Sequence, residues 1–310
     1  MVARNFLIAL LVILLVGCSP ASPSPTAAPV TEAISTLTPS VTDAPTTAPN
    51  YVEAIRNAEY QLGAGNAPLA IQLTDGKYEQ GTAGGVDYIS VNMTDFVASG
   101  DLNGDGVDEV AALIAENYGG TGTFVFLAVY SNVNGTYTFL TSAIVDDRPA
   151  LNALSIENGE VFLDAVIHAS DDPFCCPTLK TNRHYHLMDD NQLEMTDYVT
   201  FTPDGRPRTI TIDTPINGTE TYSSVQVKGS VAIAPFENNL TYRIFSTGDV
   251  ELAAGSITVS SDGLGGPGTF DTIIAIGNTL SGAVVRIEVQ DISAADGSLL
   301  AMDSVELVVK

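Results

Sequence analysis

Tryptophan is absent from this chain, histidine and cysteine occur three times each, and 12 Lys plus Arg face 37 Asp plus Glu, leaving a net charge of −25. Each shortage excludes something. Nucleic acids and anionic lipid surfaces are held by clustered basic side chains, so a chain this acidic is not built to bind them. Three histidines leave little imidazole for general-base work, and no Gly-x-Ser-x-Gly elbow, His-Glu-x-x-His pair or P-loop occurs. Carboxylates are plentiful, so composition alone leaves a glycosidase pair open. The lack of Trp counts against it, because sugar-cleft enzymes commonly use large aromatic platforms. An acidic surface suits solubility and divalent cations.

The apolar run at 6–16 follows Arg4 and is eleven residues long, too short to cross a bilayer as a helix. That layout is signal-peptide anatomy. It closes on Leu15, Val16, Gly17 and Cys18, which resemble the lipobox of bacterial lipoproteins. The resemblance implies diacylglycerol on the Cys18 thiol, cleavage just before it, and a membrane partner reached through that lipid. Residues 19–50 are rich in Ser, Thr, Pro and Ala, so they bury too little apolar surface to offset the entropy of ordering. They read as a tether, reaching on the order of 30 Å as a coil and about 100 Å as extended polyproline helix.

From 51 to 204 the pattern is that of a β domain with one helix. Asn50 with Glu53 makes a capping box, and Val52, Ile55, Ala58 and Leu62 follow at helical spacing. The period then turns to two, predicting strands at 69–73, 86–91, 124–130, 137–144, 154–157, 161–167 and 183–188. Turns at Asp75-Gly76, Asn134-Gly135 and Asn158-Gly159 join several of them as antiparallel hairpins.

Two loops of this domain carry chemistry. In the first, Asp101, Asn103, Asp105 and Glu109 stand at positions one, three, five and nine, and Gly106 stands at the sixth. Oxygen ligands at that spacing, with the Val107 carbonyl as main-chain ligand, are what a hard cation such as Ca2+ requires. The twelfth position is Ala112 rather than the bidentate Glu of an EF-hand, and the loop instead resembles the shorter calcium loops of FG-GAP and integrin-type repeats. An Asx-rich turn without metal is the other reading.

The second loop holds the adjacent pair Cys175 and Cys176. Neighbouring Cα atoms lie about 3.8 Å apart, below the usual disulfide span, so a vicinal bond would be strained yet plausible outside the cell. A sharper reading makes a metal or redox site from these cysteines with His184 and His186, which alternate onto one face of a strand, and with His168. Arg56 to Tyr60, the 101–106 loop, Gly119 to Phe124 and Asp172 to Thr178 together resemble an uncharacterised class of bacterial envelope domains, which lends no activity.

Residues 201–207 are turn-rich and mark a boundary. Beyond it, seven short alternating segments at 209–213, 225–229, 240–246, 251–259, 269–276, 284–291 and 304–309 argue a two-sheet sandwich. Ile212 to Gly218, Val225 to Gly229, Phe236-Glu237, Leu240 to Arg243, Gly255, Gly268 to Phe270 and Asp296 to Ser298 resemble the immunoglobulin-like domain of bacterial spore-germination proteins. That resemblance implies an extracytoplasmic module without known catalysis. The glycine cluster at 263–268 precedes no helix, so it is not a phosphate loop.

The expectation is a mainly β protein, an antiparallel-sheet domain with one short helix at 51–204 followed by an immunoglobulin-like β-sandwich at 208–310. Its expected role is non-enzymatic: a lipid-anchored extracytoplasmic protein that binds or scaffolds an envelope protein or polysaccharide. The alternative is a hydrolase or thiol/metal redox protein built on Cys175, Cys176, His184 and His186.

Overall fold

The computed structural model describes residues 50–63, 69–263, 265–277 and 281–310. The expected lipobox with Cys18 lies outside the described residues, as does the expected tether at 19–50 apart from Asn50, which opens the first helix. Thr47–Lys310 forms one compact unit. In chain order its elements are α1 (Asn50–Arg56), β1 (Glu59–Gln61), β2 (Ala70–Gln72), β3 (Lys77–Gln80), β4 (Ile89–Gly100), β5 (Glu109–Asn117), β6 (Phe124–Val133), β7 (Thr136–Asp147), β8 (Ala150–Glu157), β9 (Glu160–Ile167), β10 (Leu179–Leu187) and β11 (Leu193–Phe201). After the boundary turn come β12 (Pro207–Arg208), β13 (Ile210–Thr214), β14 (Thr219–Thr221), β15 (Ser224–Val231), β16 (Asn239–Ser246), β17 (Val250–Thr258), β18 (Ser260–Ser261), β19 (Gly268–Ala275), β20 (Val284–Ile292) and β21 (Leu299–Val309).

The protein is mainly β, and one long sheet runs through both halves in the order β17-β16-β20-β21-β11-β10-β9-β8. A five-stranded sheet, β3-β4-β5-β6-β7, packs on its N-terminal part, and a four-stranded sheet, β13-β15-β19-β18, packs on its C-terminal part. The C-terminal half is therefore a sandwich around Val227, Leu240, Ile257, Phe270, Ile287 and Leu307. Among the described residues no buried apolar cluster mixes residues from before 204 with residues after 208. The hydrogen-bonded sheet, by contrast, crosses that boundary.

In the N-terminal half, β5 and β6 are buried on both faces, which explains their near-continuous apolar runs. Val110, Ala112, Ile114, Ala128 and Tyr130 face the layer made by α1 and the β1–β2 hairpin. Ala111, Leu113, Val125, Leu127 and Val129 face the long sheet. Alternation along a strand thus feeds two cores from one sequence. The hairpin at Asn158 and Gly159 has φ of 55° and 82°, the double left-handed geometry that a two-residue turn needs and that Asn-Gly supplies.

Register reveals how the halves differ. Paired residues in an antiparallel ladder share a face, and His184 pairs Asp197, which pairs Asp303, while Val199 pairs Ala301. Ala301 belongs to the C-terminal core, whereas Tyr185, on the opposite face of β10 from His184, belongs to the N-terminal core. The two covering sheets therefore lie on opposite faces of the long sheet. Each half keeps one face turned outward. On β8–β10 that face carries Asn152, Asp164, Lys180, Asn182 and His184, all partly or fully exposed.

The strands differ from expectation where bulges interrupt period two. β4 was expected only to 91 but continues to Gly100 through a register shift between Met93 and Val97. β11 gave no clear alternation because its ladder with β10 slips between His184 and Tyr185.

Candidate functional sites

The loop at 101–109 joins β4 to β5, strand to strand. Asp101 accepts N–H bonds from Gly104 at 2.7 Å and Gly106 at 2.9 Å, and both glycines have positive φ. Asn103 Oδ1 accepts the Asp105 N–H, and Asp105 Oδ1 accepts the Val107 N–H. The Gly106 N–H and its neighbours hold the Asp101 carboxyl below the usual carboxylate range. Glu109 is only 2% exposed and accepts the Leu102 N–H at 3.0 Å and an Asn103 amide N–H at 3.2 Å. Burial pushes its carboxyl up, and the charges of Asp105 and Asp101 add to the rise.

The donor set is oxygen, as a hard cation prefers. Among the described residues no ion pair neutralises Asp101, Asp105 or Glu109, and no group of three or more His, Cys, Asp or Glu stands arranged to hold a metal. The carboxylates are instead turned onto the loop's own N–H groups. Their chemistry fits a cation, but they are not gathered around one.

The second loop, 168–178, leads from β9 to β10. Cys175 and Cys176 are joined by a vicinal disulfide, their Cα atoms 3.7 Å apart. Asp172 organises the loop by accepting the Ala169 N–H at 2.8 Å and the Thr178 N–H at 2.7 Å. Phe174, beside the disulfide, is 82% exposed. The Ser170 hydroxyl donates to Asp296, tying the loop to the turn between β20 and β21.

The proposed cysteine-histidine constellation does not assemble. His184 and His186 lie toward the far end of β10, and at about 3.3 Å per residue more than about 15 Å of strand separates them from the loop. The histidine at the loop is His168, whose N–H and Nδ1 both meet Asp146 Oδ2, at 2.6 and 2.9 Å. That carboxylate raises the His168 pKa above the usual imidazole value.

One cavity opens on the outward face of the N-terminal half and another at its seam with the C-terminal half. A groove of about 710 Å³ runs over Asn152, Asp164, Lys180 and Asn182, between Thr178 of the disulfide loop and the 201–205 turn with Phe201. Asn152 Nδ2 donates to Asp164 Oδ1 at 2.9 Å, and Asp164 pairs Asn182 across the ladder, so amide and carboxylate groups form a row. The next rung adds aromatic surface, with the Phe162 and His184 rings 5.2 Å apart.

A smaller polar pocket of about 160 Å³ lies where β11 and β21 part after three partnered positions. His186 approaches Glu306 at 3.6 Å, His184 meets Asp197 at 3.3 Å, and Thr196 donates to Glu160 at 2.8 Å. The Glu306 and Asp197 carboxylates raise the respective histidine pKa values. Asp303 accepts the Ile212 N–H at 2.6 Å, and burial, with the Asp197 and Glu160 charges, pushes its carboxyl up to about 7. Sequence reasoning missed Asp197 and Asp303. They lie about a hundred positions apart and carry no local signal.

Residues 209–298 match the family described as the immunoglobulin-like domain of bacterial spore germination. This agrees with the sandwich built by β13 to β21. No curated protein matches the chain.

Proposed function

We propose that this protein is a lipid-anchored extracytoplasmic binding protein, without catalysis, whose groove takes a hydroxyl-rich polysaccharide of the envelope. The observation carrying this reading is the outward face of β8–β10. Its row of Asn152, Asp164 and Asn182 offers donors and acceptors side by side, as sugar hydroxyls require. Phe201 supplies apolar surface at the rim. Without Trp, hydrogen bonds dominate over stacking. The match of 209–298 to a family of immunoglobulin-like modules supports a binding role over an enzymatic one.

The test is retention of the full chain on purified peptidoglycan sacculi. Wild type is retained, and an Asn152→Ala/Asn182→Ala double variant with an unchanged melting temperature is released. Equal retention of both removes the groove from the function. Attachment rests on the lipobox, and a Cys18→Ala variant is expected to leave the membrane fraction; continued partitioning there would overturn the anchor.

Calcium in the 101–109 loop is a second reading, favoured by the buried Glu109 that stands near Asp105 and Asp101 with no cation partner among the described residues. Asp101, Asn103, Asp105, Glu109 and the Val107 carbonyl would hold the ion, which would join β4 to β5 more firmly. An ion bound only by the folded state stabilises it by about 2.7 kcal/mol at a hundredfold excess over its dissociation constant. The melting temperature is expected to rise with calcium and to lose that rise in Asp105→Ala. No shift at millimolar calcium makes the loop a plain turn.

A further inference from the structure

Arg183 sits in the middle of β10 on the face turned to the N-terminal core and is only 5% exposed. A buried guanidinium is costly unless a carboxylate or a full set of acceptors meets it. Its Nη1 donates to the Val145 carbonyl at 3.2 Å and lies 3.3 Å from the Tyr185 hydroxyl, and its plane lies over the Tyr198 ring, 5.6 Å from the centroid. Its Nε has no hydrogen-bond partner among the described residues. No ion pair reaches it among the described residues, although acids outnumber bases about threefold in the chain. Asp146, on neighbouring β7, is occupied by His168.

Arg183 lines a cleft of about 380 Å³ whose remaining wall is mostly apolar, with Ile144, Ile167, Leu193, Met195 and Leu299. The cleft lies where β7, the edge of the five-stranded sheet, passes over β10 and β11. Ile144 is 57% exposed. A lone buried cation at the wall of an apolar cleft is complementary to one negative charge carried on a hydrocarbon body. The guanidinium fork matches a carboxylate in shape, and the volume lies near the lower end for small-molecule sites.

We propose that this cleft binds a carboxylate carried on an aliphatic chain, the charge meeting Arg183 and the chain lying along Ile144, Leu193 and Met195. It is independent of the polysaccharide groove, which lies on the opposite face of the same strands. An acidic surface slows capture of any anion, so specificity comes from the one desolvated pair rather than from long-range steering.

The test is calorimetric titration of the full chain with octanoate, 1-octanol and octylammonium. Octanoate is expected to bind at least about tenfold more tightly than 1-octanol, and octylammonium more weakly than either. Arg183→Met should bring octanoate down to the level of 1-octanol. Ile144→Asp, an exposed position where the fold is not at stake, should weaken octanoate about tenfold at an unchanged melting temperature, and it decides the matter if Arg183→Met does not fold. Equal binding of octanoate and octanol, no binding by wild type at millimolar octanoate, or undiminished binding by Ile144→Asp would overturn the site.

Discussion

Both halves of the long sheet turn one face outward, and both outward faces are polar, yet the two are finished differently. On the C-terminal half, Arg286 is 6% exposed and meets Glu194 at 3.1 Å, Asp249 at 3.0 Å and Glu288 at 3.1 Å, with Gln290 donating to Glu288 at 2.6 Å. Its guanidinium also lies over Phe245. On the N-terminal half, Asn152, Asp164, Lys180 and Asn182 line an open groove and are only partly satisfied by one another. The first face is closed upon itself and holds strands together. The second has hydrogen-bonding capacity left for a ligand.

The comparison breaks most visibly at Arg286. Arg286→Ala leaves Glu288 and Glu194 close together without their cation, and the expected loss is about 3–5 kcal/mol in denaturant unfolding. A loss below about 1 kcal/mol would place this network among ordinary surface pairs.

Next in size is the pH dependence of the seam pocket. The Asp303 carboxyl, raised to about 7 in the folded protein, binds its proton more tightly there than in the unfolded chain. Stability therefore falls as pH rises from about 4 to about 7, by on the order of 1.4 kcal/mol per unit of difference. The raised values of His184 and His186 act in the same direction. Their contribution is full below the unfolded imidazole value and is lost as pH climbs through the folded one. Asp303→Asn should flatten the carboxylate part of this slope, and melting curves from pH 5 to 8 measure it. An unchanged slope assigns the dependence elsewhere.

The smallest effect sharpens the contrast. Asn182→Ala on the open face should change stability by less than about 0.5 kcal/mol, while sacculus retention falls. A stability loss as large as that of Arg286→Ala would mean that the open face, too, is structural.

The C-terminal sandwich was legible because its turns carry Gly, Pro and Asn and the bulges of β13, β17 and β21 lie near strand ends. In the N-terminal half the doubly buried strands β5 and β6 were visible as apolar runs, but β11 was not, since its bulge hides the period. Local turns could be read from spacing, as in the Asx-rich loop at 101–109 and the vicinal pair Cys175-Cys176. Whatever depends on register could not. The groove needs β8, β9 and β10 side by side, the seam pocket needs His186 beside Glu306, and Arg183 looks like any strand arginine until its burial is known.

The pairing of Asp197 with Asp303 and of Val199 with Ala301 also constrains the order of assembly. β11 exposes an open edge of N–H and C=O groups until β21, a hundred residues later in the chain, arrives to cover it. Contacts so distant in sequence form late, and an uncovered strand edge is a template for pairing with another copy. A chain cut short before 299 would therefore lose more than a strand of the sandwich. It would leave the completed N-terminal half with an adhesive margin, and its characteristic failure would be aggregation through β11.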